Sequence, residues 1–388
     1  MERAFSYFIV PFNREEENIR DFSIPQSWKR VERSRNCELH SYITDRMFGR
    51  TDAVCEIYDI EREEAFCDNR TGKCLTILFT RLFLYKKGVS FGVFCLQYGE
   101  DFTIDDVIFT NSRLKYLSTI NSQEFTEKPV SPDSLNRSQE CCDNLLAVKL
   151  KELMKDTYGE IRLATEKALM CVYGVCPDEG MNKQTLFYLA TGNNRNFAYS
   201  DDIAFSTYTQ SENVMHGLCR EGIAVITRES GGRFVMDKSA SYGLVGNYRE
   251  NYLLMYIILL CQYYGFKDYN QKTFTLYSSK MKKGSWRMRR KMEQLSADAD
   301  MFYLQNVYSD ISQITHQNRI YEMLYEIYSI NALISDFKED ISICNRLLEQ
   351  EKLNSKMLVI ILSTSVAAIA GLMEILANFT SVFDFLFS

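Results

Sequence analysis

The feature that most constrains this chain is an apolar segment at residues 357–373, where 17 consecutive residues carry no charge. Residues 375–377 extend its apolar character past Glu374. An α-helix rises about 1.5 Å per residue, so about 20 residues cross the hydrocarbon core of a bilayer. The segment therefore predicts one transmembrane helix at residues 357–376. A buried core helix is the alternative, and it is disfavoured because only 12 residues follow, at 377–388.

Charges around this segment predict its orientation. Lys352 and Lys356 precede it, whereas no Lys or Arg follows it. Basic residues stay preferentially on the cytoplasmic side of a membrane helix. We therefore expect a single-pass protein of the cell membrane with a large cytoplasmic N-terminal domain. The tail at 377–388 contains four Phe and one Asp, a composition that suits the far membrane interface.

One face of this segment is a candidate membrane contact or pore surface. Its members recur at helical spacing and are Ser363, Ala367, Ala370 and Glu374. Small residues allow two membrane helices to approach closely, and a carboxylate within a membrane is often functional. Glu374 has a second interpretation, as a marker of the outer interface. A strict heptad repeat would instead turn Leu358, Leu362, Ser365 and Ile369 inward, and the sequence leaves both faces open.

The absence of Pro and Gly from residues 285–370 predicts a long helical region, because these residues break helices. We expect this region at 246–356, with helices at 249–277, 286–314 and 317–356. The first opens with an apolar run of about 14 residues, which is too short to cross a bilayer. It is predicted to be buried, with a re-entrant segment as the alternative.

The third helix carries an apolar heptad pattern. Its positions alternate spacings of four and three and are Met323, Ile327, Ile330, Ile334, Phe337, Ile341, Cys344 and Leu348. Such a seam is typical of a coiled coil, and it predicts a homo-oligomer joined by a stalk about 60 Å long. An amphipathic helix packed on the second helix explains the same pattern.

A basic turn precedes the second helix. Seven cations occur in 12 residues, namely Lys280, Lys282, Lys283, Arg287, Arg289, Arg290 and Lys291. If the second helix returns antiparallel along the third, this turn approaches the bilayer, where anionic lipids attract each cation by about 1 kcal/mol. A solvated loop is the alternative interpretation.

Residues 1–245 predict a mixed α/β domain, so the fold class of the whole chain is α+β. Strands are expected at residues 6–12, 74–85, 89–98, 185–190, 222–228 and 231–236. The second and third of these form a hairpin, because they are rich in β-branched and aromatic residues and flank Lys86-Lys87-Gly88. Helices are expected at residues 102–117 and 145–173.

Composition disfavours several functions. The net charge of −6 argues against direct nucleic-acid binding. No pair of the 12 Cys forms a CxxC motif, and no signal peptide precedes the domain, so we expect reduced cytosolic thiols and no metal site. No HExxH, GxSxG, Walker A or GxGxxG motif occurs, which predicts a non-enzyme without a cofactor. The pairs Asp105-Asp106 and Asp201-Asp202 suit a helix start and a solvated turn better than a cation site.

Two residues are candidate ligand contacts. Arg233 lies in residues 229–234, where backbone N–H groups could cradle a phosphate. A plain hairpin turn explains the same sequence. His216 could line a ligand pocket, or it could satisfy a local hydrogen bond.

The order of segments resembles the CorA-like family of divalent-cation channels over about residues 249–376. The stalk-like run QNRIYEMLYEIYSINALISDF carries the resemblance, and SVAAIAGLMEIL stands where that family has a Gly-Met-Asn loop. Here the loop reads Gly371-Leu372-Met373-Glu374, and the family's second membrane helix is absent. The resemblance therefore implies an oligomeric membrane architecture and leaves magnesium transport in doubt.

Two runs of the chain are similar to divergent CorA-like proteins found among bacterial defence genes. They read LFTRLFLYKKGVSFGVFCLQYGEDFTIDDVIFTNSRLKYL and RENYLLMYIILLCQYYGF. Some of these act as membrane effectors of type III CRISPR systems triggered by a nucleotide second messenger. The resemblance implies an antiviral membrane effector or ion channel whose cytosolic domain senses a small nucleotide. A membrane-tethered binding or scaffold protein without a pore is the alternative.

Overall fold

A computed structural model of the 388-residue chain describes residues 3–14, 24–34, 37–49, 53–121, 123–130, 140–155, 157, 159–176, 181–200, 205–228, 244–278 and 286–387. The chain divides into two compact units. The first unit contains Met1–Gly265 and Leu304–Leu333, and the second contains Phe266–Tyr303 and Ile334–Ser388. The domain boundaries drawn from composition stay predictions.

The strands of the first unit are β1 Arg3–Arg14, β2 Lys29–Arg30, β3 Cys55–Ile60, β4 Glu64–Asp68, β5 Lys73–Tyr85, β6 Ser90–Tyr98, β7 Ser118–Thr119, β8 Phe125–Thr126, β9 Cys142–Asp143, β10 Ile161–Leu163, β11 Leu169–Cys176, β12 Ser206–Ser211, β13 Val214–Leu218 and β14 Gly222–Arg228. Twelve of them form one sheet, with the main order β12-β13-β14-β11-β1-β6-β5-β3-β2. The pair β11–β14 is parallel, and β1 lies antiparallel to both β6 and β11. A mixed α+β fold with a large sheet is therefore confirmed.

The helices are α1 Ser41–Phe48, α2 Ile104–Leu114, α3 Leu145–Lys155, α4 Lys183–Thr191, α5 Leu244–Asn247, α6 Leu253–Ser278, α7 Trp286–Asn306, α8 Thr315–Ile327 and α9 Ile330–Phe387. A π-helical turn, Tyr248–Tyr252, joins α5 to α6. The alternation of β1 explains how helices cover both faces of the sheet. Phe8 and Val10 face the core shared with α2, α3 and α4, whereas Tyr7 faces Tyr248 of the π turn.

Several predicted elements are confirmed. The strand at residues 6–12 lies within β1, and the hairpin is β5–β6, in which Gly88 takes a φ of 91° at the turn. The strand at 222–228 is β14. The helix at 102–117 is α2, which begins with a capping box between Thr103 and Asp106.

Two predictions within the α/β domain are wrong. The helix at 145–173 ends at Lys155, and the predicted span also holds β10 and the start of the fully buried strand β11. The strand at 185–190 lies inside helix α4, because Asn182 accepts a hydrogen bond from the Thr185 N–H and starts a helix that Gly192 ends at a φ of 59°. The apolar runs were correctly located, but they are too short for their periodicity to distinguish a strand from a helix. The strand at 231–236 lies outside the described residues.

The predicted third helix, residues 317–356, is also wrong as one element. Helix α8 ends at Ile327, Ser329 has a φ of 54°, and α9 begins at Ile330. Tertiary hydrogen bonds hold this break. The buried Tyr328 hydroxyl donates to the Arg220 carbonyl at 2.7 Å, and Arg220 Nε donates to the Ile327 carbonyl at 3.2 Å.

The limits of the first two predicted helices also change. Arg249 lies in the π turn rather than at the start of an α-helix, and the second helix ends at Asn306 rather than at residue 314. The apolar run at residues 253–261 is buried throughout, as predicted. It packs inside the first unit.

The second unit is a packing of helices around Phe337 of α9. The Phe337 ring centroid lies 5.1 Å from that of Phe266, 5.9 Å from Tyr269 and 6.4 Å from Tyr303. Further along, Ser296 Oγ lies 3.0 Å from Asn345 Oδ1. Because Tyr303 meets Phe337 and Ser296 meets Asn345, α7 and α9 run antiparallel where they touch.

Candidate functional site

One helical segment in the described part of the chain is long and apolar enough to cross a membrane. It spans Lys356–Met373, has a mean hydropathy of 2.0, and none of it is buried. Val366 is 66% exposed and Ile369 is 62% exposed. The segment is continuous with the rest of α9, from Ile330 to Phe387. The described residues therefore leave a large apolar surface uncovered.

The hydroxyl groups inside this segment bond to their own helix. Ser363 Oγ donates to the Ile360 carbonyl at 2.9 Å, and Ser365 Oγ donates to the Ile361 carbonyl at 2.7 Å. Thr364 Oγ1 lies 2.7 Å from the Ile360 carbonyl oxygen. Each hydroxyl is therefore satisfied without a partner from another chain, which suits apolar surroundings.

The predicted membrane face lies on this exposed helix. Ser363, Ala367 and Ala370 are exposed, while the Glu374 side chain lies outside the description. The role of this face in helix contacts or a pore stays a prediction.

The predicted stalk positions are divided between buried and partly exposed sites. Ile330, Phe337 and Ile341 are buried at 0%, 3% and 7% exposure, whereas Ile327 and Ile334 are half-buried. The Leu348 side chain lies outside the description. Since the chain's own aromatic rings contact Phe337, that part of the seam is filled within one subunit. Self-association through the seam stays a prediction.

A groove of about 500 Å³ opens between α7 and α9 within the second unit. Tyr303, Phe337 and Ile341 contribute apolar surface to it. Both signs of charge line the same groove, from Asp300, Lys338, Arg346 and Glu349. Such a surface can receive side chains of another helix that carries both charges.

The basic turn is only partly described. Lys280, Lys282 and Lys283 lie outside the described residues, as does the side chain of Arg287. Arg289, Arg290 and Lys291 lie in α7, where Arg289 Nε is 3.2 Å from Glu293 Oε1. Contact between this turn and lipid stays a prediction.

His216 lies in a polar cluster on the sheet, together with a second histidine. Its Nε2 lies 3.0 Å from Gln210 Oε1, and Gln210 Nε2 lies 3.3 Å from His316 Nε2. The Tyr252 ring contacts both imidazoles, with centroid distances of 5.5 Å to His216 and 6.3 Å to His316. Gln210 reaches them from a β-bulge in β12, where the register shifts between Thr209 and Ser211.

Burial makes this cluster uncharged. It lowers the pKa of His216 to about 3, with a smaller contribution from His316, and it also lowers the pKa of His316. Both imidazoles are therefore neutral near pH 7 and cannot neutralise a phosphate. The geometry favours the local hydrogen bond as the role of His216. Arg233, the other candidate, lies outside the described residues.

Sequence reasoning missed a buried ion cluster beneath the π turn. Arg81 is 1% exposed, and its Nε and Nη2 lie 2.7 and 2.9 Å from the two oxygens of Asp59. Arg249 Nη2 donates to Asp59 Oδ2 at 2.8 Å, and its guanidinium lies 4.1 Å from the Phe79 ring centroid. Glu250 Oε1 lies 3.6 Å from Arg81 Nη2. The signal was a lone Arg inside the apolar run of β5, because buried Arg almost always has a partner.

This cluster joins the π turn to the sheet. Burial alone would lower the pKa of Arg81, but hydrogen bonds and the charge of Asp59 outweigh it, and the pKa is raised. The two guanidinium groups and the two carboxylates balance in charge. Within the described part of the chain, Arg81 Nη1 and the Tyr248 hydroxyl are buried without a hydrogen-bond partner. We interpret the cluster as a structural tether for α6.

The structure gives partners to the acidic pair Asp105-Asp106. Asp105 pairs with Arg195 at 2.6 Å, and Asp106 pairs with Lys73 at 2.6 Å, in agreement with a helix start. Asp201 and Asp202 lie outside the described residues. Lys115 is buried, which lowers its pKa to about 8, and its Nζ donates to the Thr191 carbonyl at the end of α4. Among the described residues, no group of three or more His, Cys, Asp or Glu could hold a metal ion.

The described residues thus include an exposed apolar helix, a neutral histidine cluster and a charge-balanced tether. Of these features, the exposed helix presents an apolar surface that the described residues leave uncovered. No protein-family model, no curated protein and no solved structure matches this chain.

Proposed function

We propose that this protein is an oligomeric membrane effector or channel whose cytoplasmic α/β body senses a ligand. The observation that carries the proposal is that no residue of the apolar segment Lys356–Met373 is buried. Removing an exposed Leu or Ile side chain from water contributes about 1.5–3 kcal/mol. The segment contains several such side chains, so water is an unfavourable surrounding for it.

The distribution of apolar residues favours a bilayer over a soluble partner. Residues 357–362 are six consecutive apolar residues, and all of them are exposed. Six consecutive residues point in every direction around a helix axis. A soluble helix partner would cover only one stripe, whereas a bilayer surrounds the whole circumference.

The flanking sequence and the geometry support an orientation and an assembly. Lys352 and Lys356 favour a body of the protein on the cytoplasmic side. One helix cannot enclose a pore, so a channel requires several copies of this chain. We propose three surfaces for contacts between copies. They are the face with Ser363, Ala367 and Ala370, the half-buried Ile327 and Ile334, and the charged groove between α7 and α9.

The CorA-like resemblance adds the biological part of the proposal. It implies a bacterial antiviral effector whose domain binds a small nucleotide, with lipid contacts at the basic turn and no direct binding of nucleic acid. The Gly-Met-Asn motif is replaced here by Gly371-Leu372-Met373, so we do not propose magnesium selectivity.

A membrane-tethered scaffold without a pore is the second candidate function. The hydroxyls of Ser363, Thr364 and Ser365 favour it, because each is satisfied by a carbonyl of its own helix. None of these hydroxyls needs water or an ion as a partner. Ion flux through liposomes that contain the purified protein separates the channel from the scaffold.

Membrane integration is tested by alkaline carbonate extraction of cells that express the full-length chain. We expect the unaltered protein to stay in the membrane pellet. The variant I361R/I369R should be extracted, since an Arg at the centre of a membrane helix costs about 2.5–3.5 kcal/mol. The matched control N331R/S335R places two Arg at exposed positions of the same helix and should stay in the pellet. Extraction of the unaltered protein would overturn the proposal.

A further inference from the structure

Two cysteines of the first unit face each other across neighbouring strands. Cys67 of β4 lies directly opposite Cys74 of β5, and their Sγ atoms are 3.5 Å apart. Opposed residues of antiparallel strands have Cα atoms about 4.5–5.5 Å apart, which falls within the range of about 4.4–6.8 Å seen in disulfides. A bond between the two sulfur atoms therefore needs side-chain rotation and little backbone movement.

The strands present both thiols on the same face. Phe66 and Asp68 point into the core, where Asp68 Oδ2 accepts a hydrogen bond from Thr110 at 2.7 Å. The alternation of β4 turns Cys67 to the opposite face, and the alternation of β5 does the same for Cys74, next to the core residue Leu75. Cys74 is exposed, whereas Cys67 is buried at 8% exposure. A reagent from solution can therefore reach Cys74 first.

The surrounding contacts fix the register of the pair. Asp68 Oδ1 accepts the backbone N–H of Arg70 at 3.0 Å, and Gly72 has the positive φ of 71° that the turn between the strands needs. On its other side, β4 pairs with β8, where Cys67 is opposite Thr126. The two sulfur atoms are thus held in place by the strand pairing on both sides of β4.

We propose that Cys67 and Cys74 form a reversible dithiol–disulfide site that reacts with glutathione disulfide or a similar low-molecular-weight disulfide. The Cys74 thiolate attacks one glutathione sulfur, which forms a mixed disulfide and releases one glutathione thiolate. The Cys67 thiolate then attacks the Cys74 sulfur and releases the second glutathione thiolate. Two protein thiols are oxidised, one glutathione disulfide is reduced to two glutathione molecules, and the two protons pass to solvent or the released thiolates.

The site does not depend on the proposed membrane function. A cytosolic glutathione pool keeps such a pair reduced, so the disulfide is a state reached under oxidising conditions. Among the other described cysteines, Cys141 is also exposed and serves as a reference. It differs because the described strand pairing places no cysteine opposite it.

The test uses the purified full-length protein in detergent, incubated with glutathione disulfide and then alkylated. Trypsin cuts after Arg70 and Lys73, so a disulfide appears as two linked peptides in mass spectrometry. We expect the unaltered protein and the C141S variant to lose the Cys67 and Cys74 thiols together and to give this linked pair. The C67A variant should give no linked pair and should keep glutathione on Cys74.

Circular dichroism of each variant confirms that the fold is retained. Glutathione that stays on Cys74 of the unaltered protein without a linked pair would overturn the proposal. A link from Cys74 to any cysteine other than Cys67 would overturn it as well. Reduced glutathione should reverse the linked pair, and a link that resists excess reduced glutathione would contradict the reversible site.

Discussion

Two apolar helical runs of this chain have similar composition and opposite surroundings. Residues 253–261 at the start of α6 are at most 3% exposed, while residues 357–362 of α9 are each more than half exposed. The first run packs in the first unit, which contains the sheet and is the sheet unit of the chain. It lies next to a π turn that ionic and aromatic contacts hold. The second run has no cover from the described residues. Apolar composition alone therefore does not predict whether the chain itself covers a run.

The largest expected effect comes from placing the same charge in both runs. Ile257 is fully buried, so I257D should destabilise the sheet unit by about 4–5 kcal/mol or abolish folding. Ile361 is 53% exposed, so the effect of I361D should be small. The free energy of unfolding of the detergent-solubilised variant should stay within about 0.5 kcal/mol of that of the unaltered chain. Circular dichroism melts measure both. Equal destabilisation by the two variants would remove the distinction between the runs.

A smaller effect should follow from breaking the tether beside the buried run. R81M leaves the Asp59 and Glu250 carboxylates with one guanidinium instead of two, and should destabilise the sheet unit by about 3–5 kcal/mol. The matched control is R319M, because Arg319 is exposed and its only described ion pair is with Glu322, three residues away. It should change stability by less than about 0.5 kcal/mol. Denaturant unfolding measures the free energy of unfolding of both variants. Equal losses would show that the tether stabilises the fold no more than an exposed ion pair does.

The smallest effect concerns the histidine cluster, in which Tyr252 of the π turn contacts His216. Burial lowers the pKa of His216 from 6.5 to about 3. Below pH 6.5 the unfolded chain takes up a proton on His216, whereas the folded protein does not. The stability that neutral His216 contributes is therefore fully present above pH 6.5 and is lost as the pH falls. That contribution should fall by up to about 1.4 kcal/mol per pH unit as the pH drops toward 3.

The variant H216Q keeps a hydrogen-bonding side chain and removes this titration. Its unfolding free energy should therefore decrease less steeply between pH 6 and pH 4 than that of the unaltered protein. Carboxylates titrate in both proteins, so the difference between the two slopes isolates His216. Identical slopes would mean that His216 is protonated in the folded state.

The sequence predicted elements well where local signals were complete. The β5–β6 hairpin has two apolar runs and a Gly turn, and α2 has a full capping box at Thr103 and Asp106. Prediction failed at α4 and β11, where short apolar runs fit both periods. Their identity depended on the Asn182 cap and on the burial of both faces of β11.

The candidate sites divide in the same way. The exposed helix at Lys356–Met373 was visible in the sequence, because length and apolarity alone define a segment able to span a bilayer. The cluster of Arg81, Asp59, Arg249 and Glu250 was not, because its members are up to 191 residues apart (250 minus 59) and meet only when the π turn packs on the sheet. Cys67 and Cys74 are seven residues apart without a CxxC motif, and only the strand register shows that they lie opposite each other.

The sequence by itself determined the α+β class, the membrane-length helix and the long helical region, because composition and periodicity act over neighbouring residues. Tertiary structure decided the break at Ser329. There, hydrogen bonds of Tyr328 and of the Ile327 carbonyl to Arg220 hold the end of α8. It also decided which heptad residues are available, since Phe337 lies among three aromatic rings of its own chain. Contacts between distant residues set these features, and no local pattern encodes them.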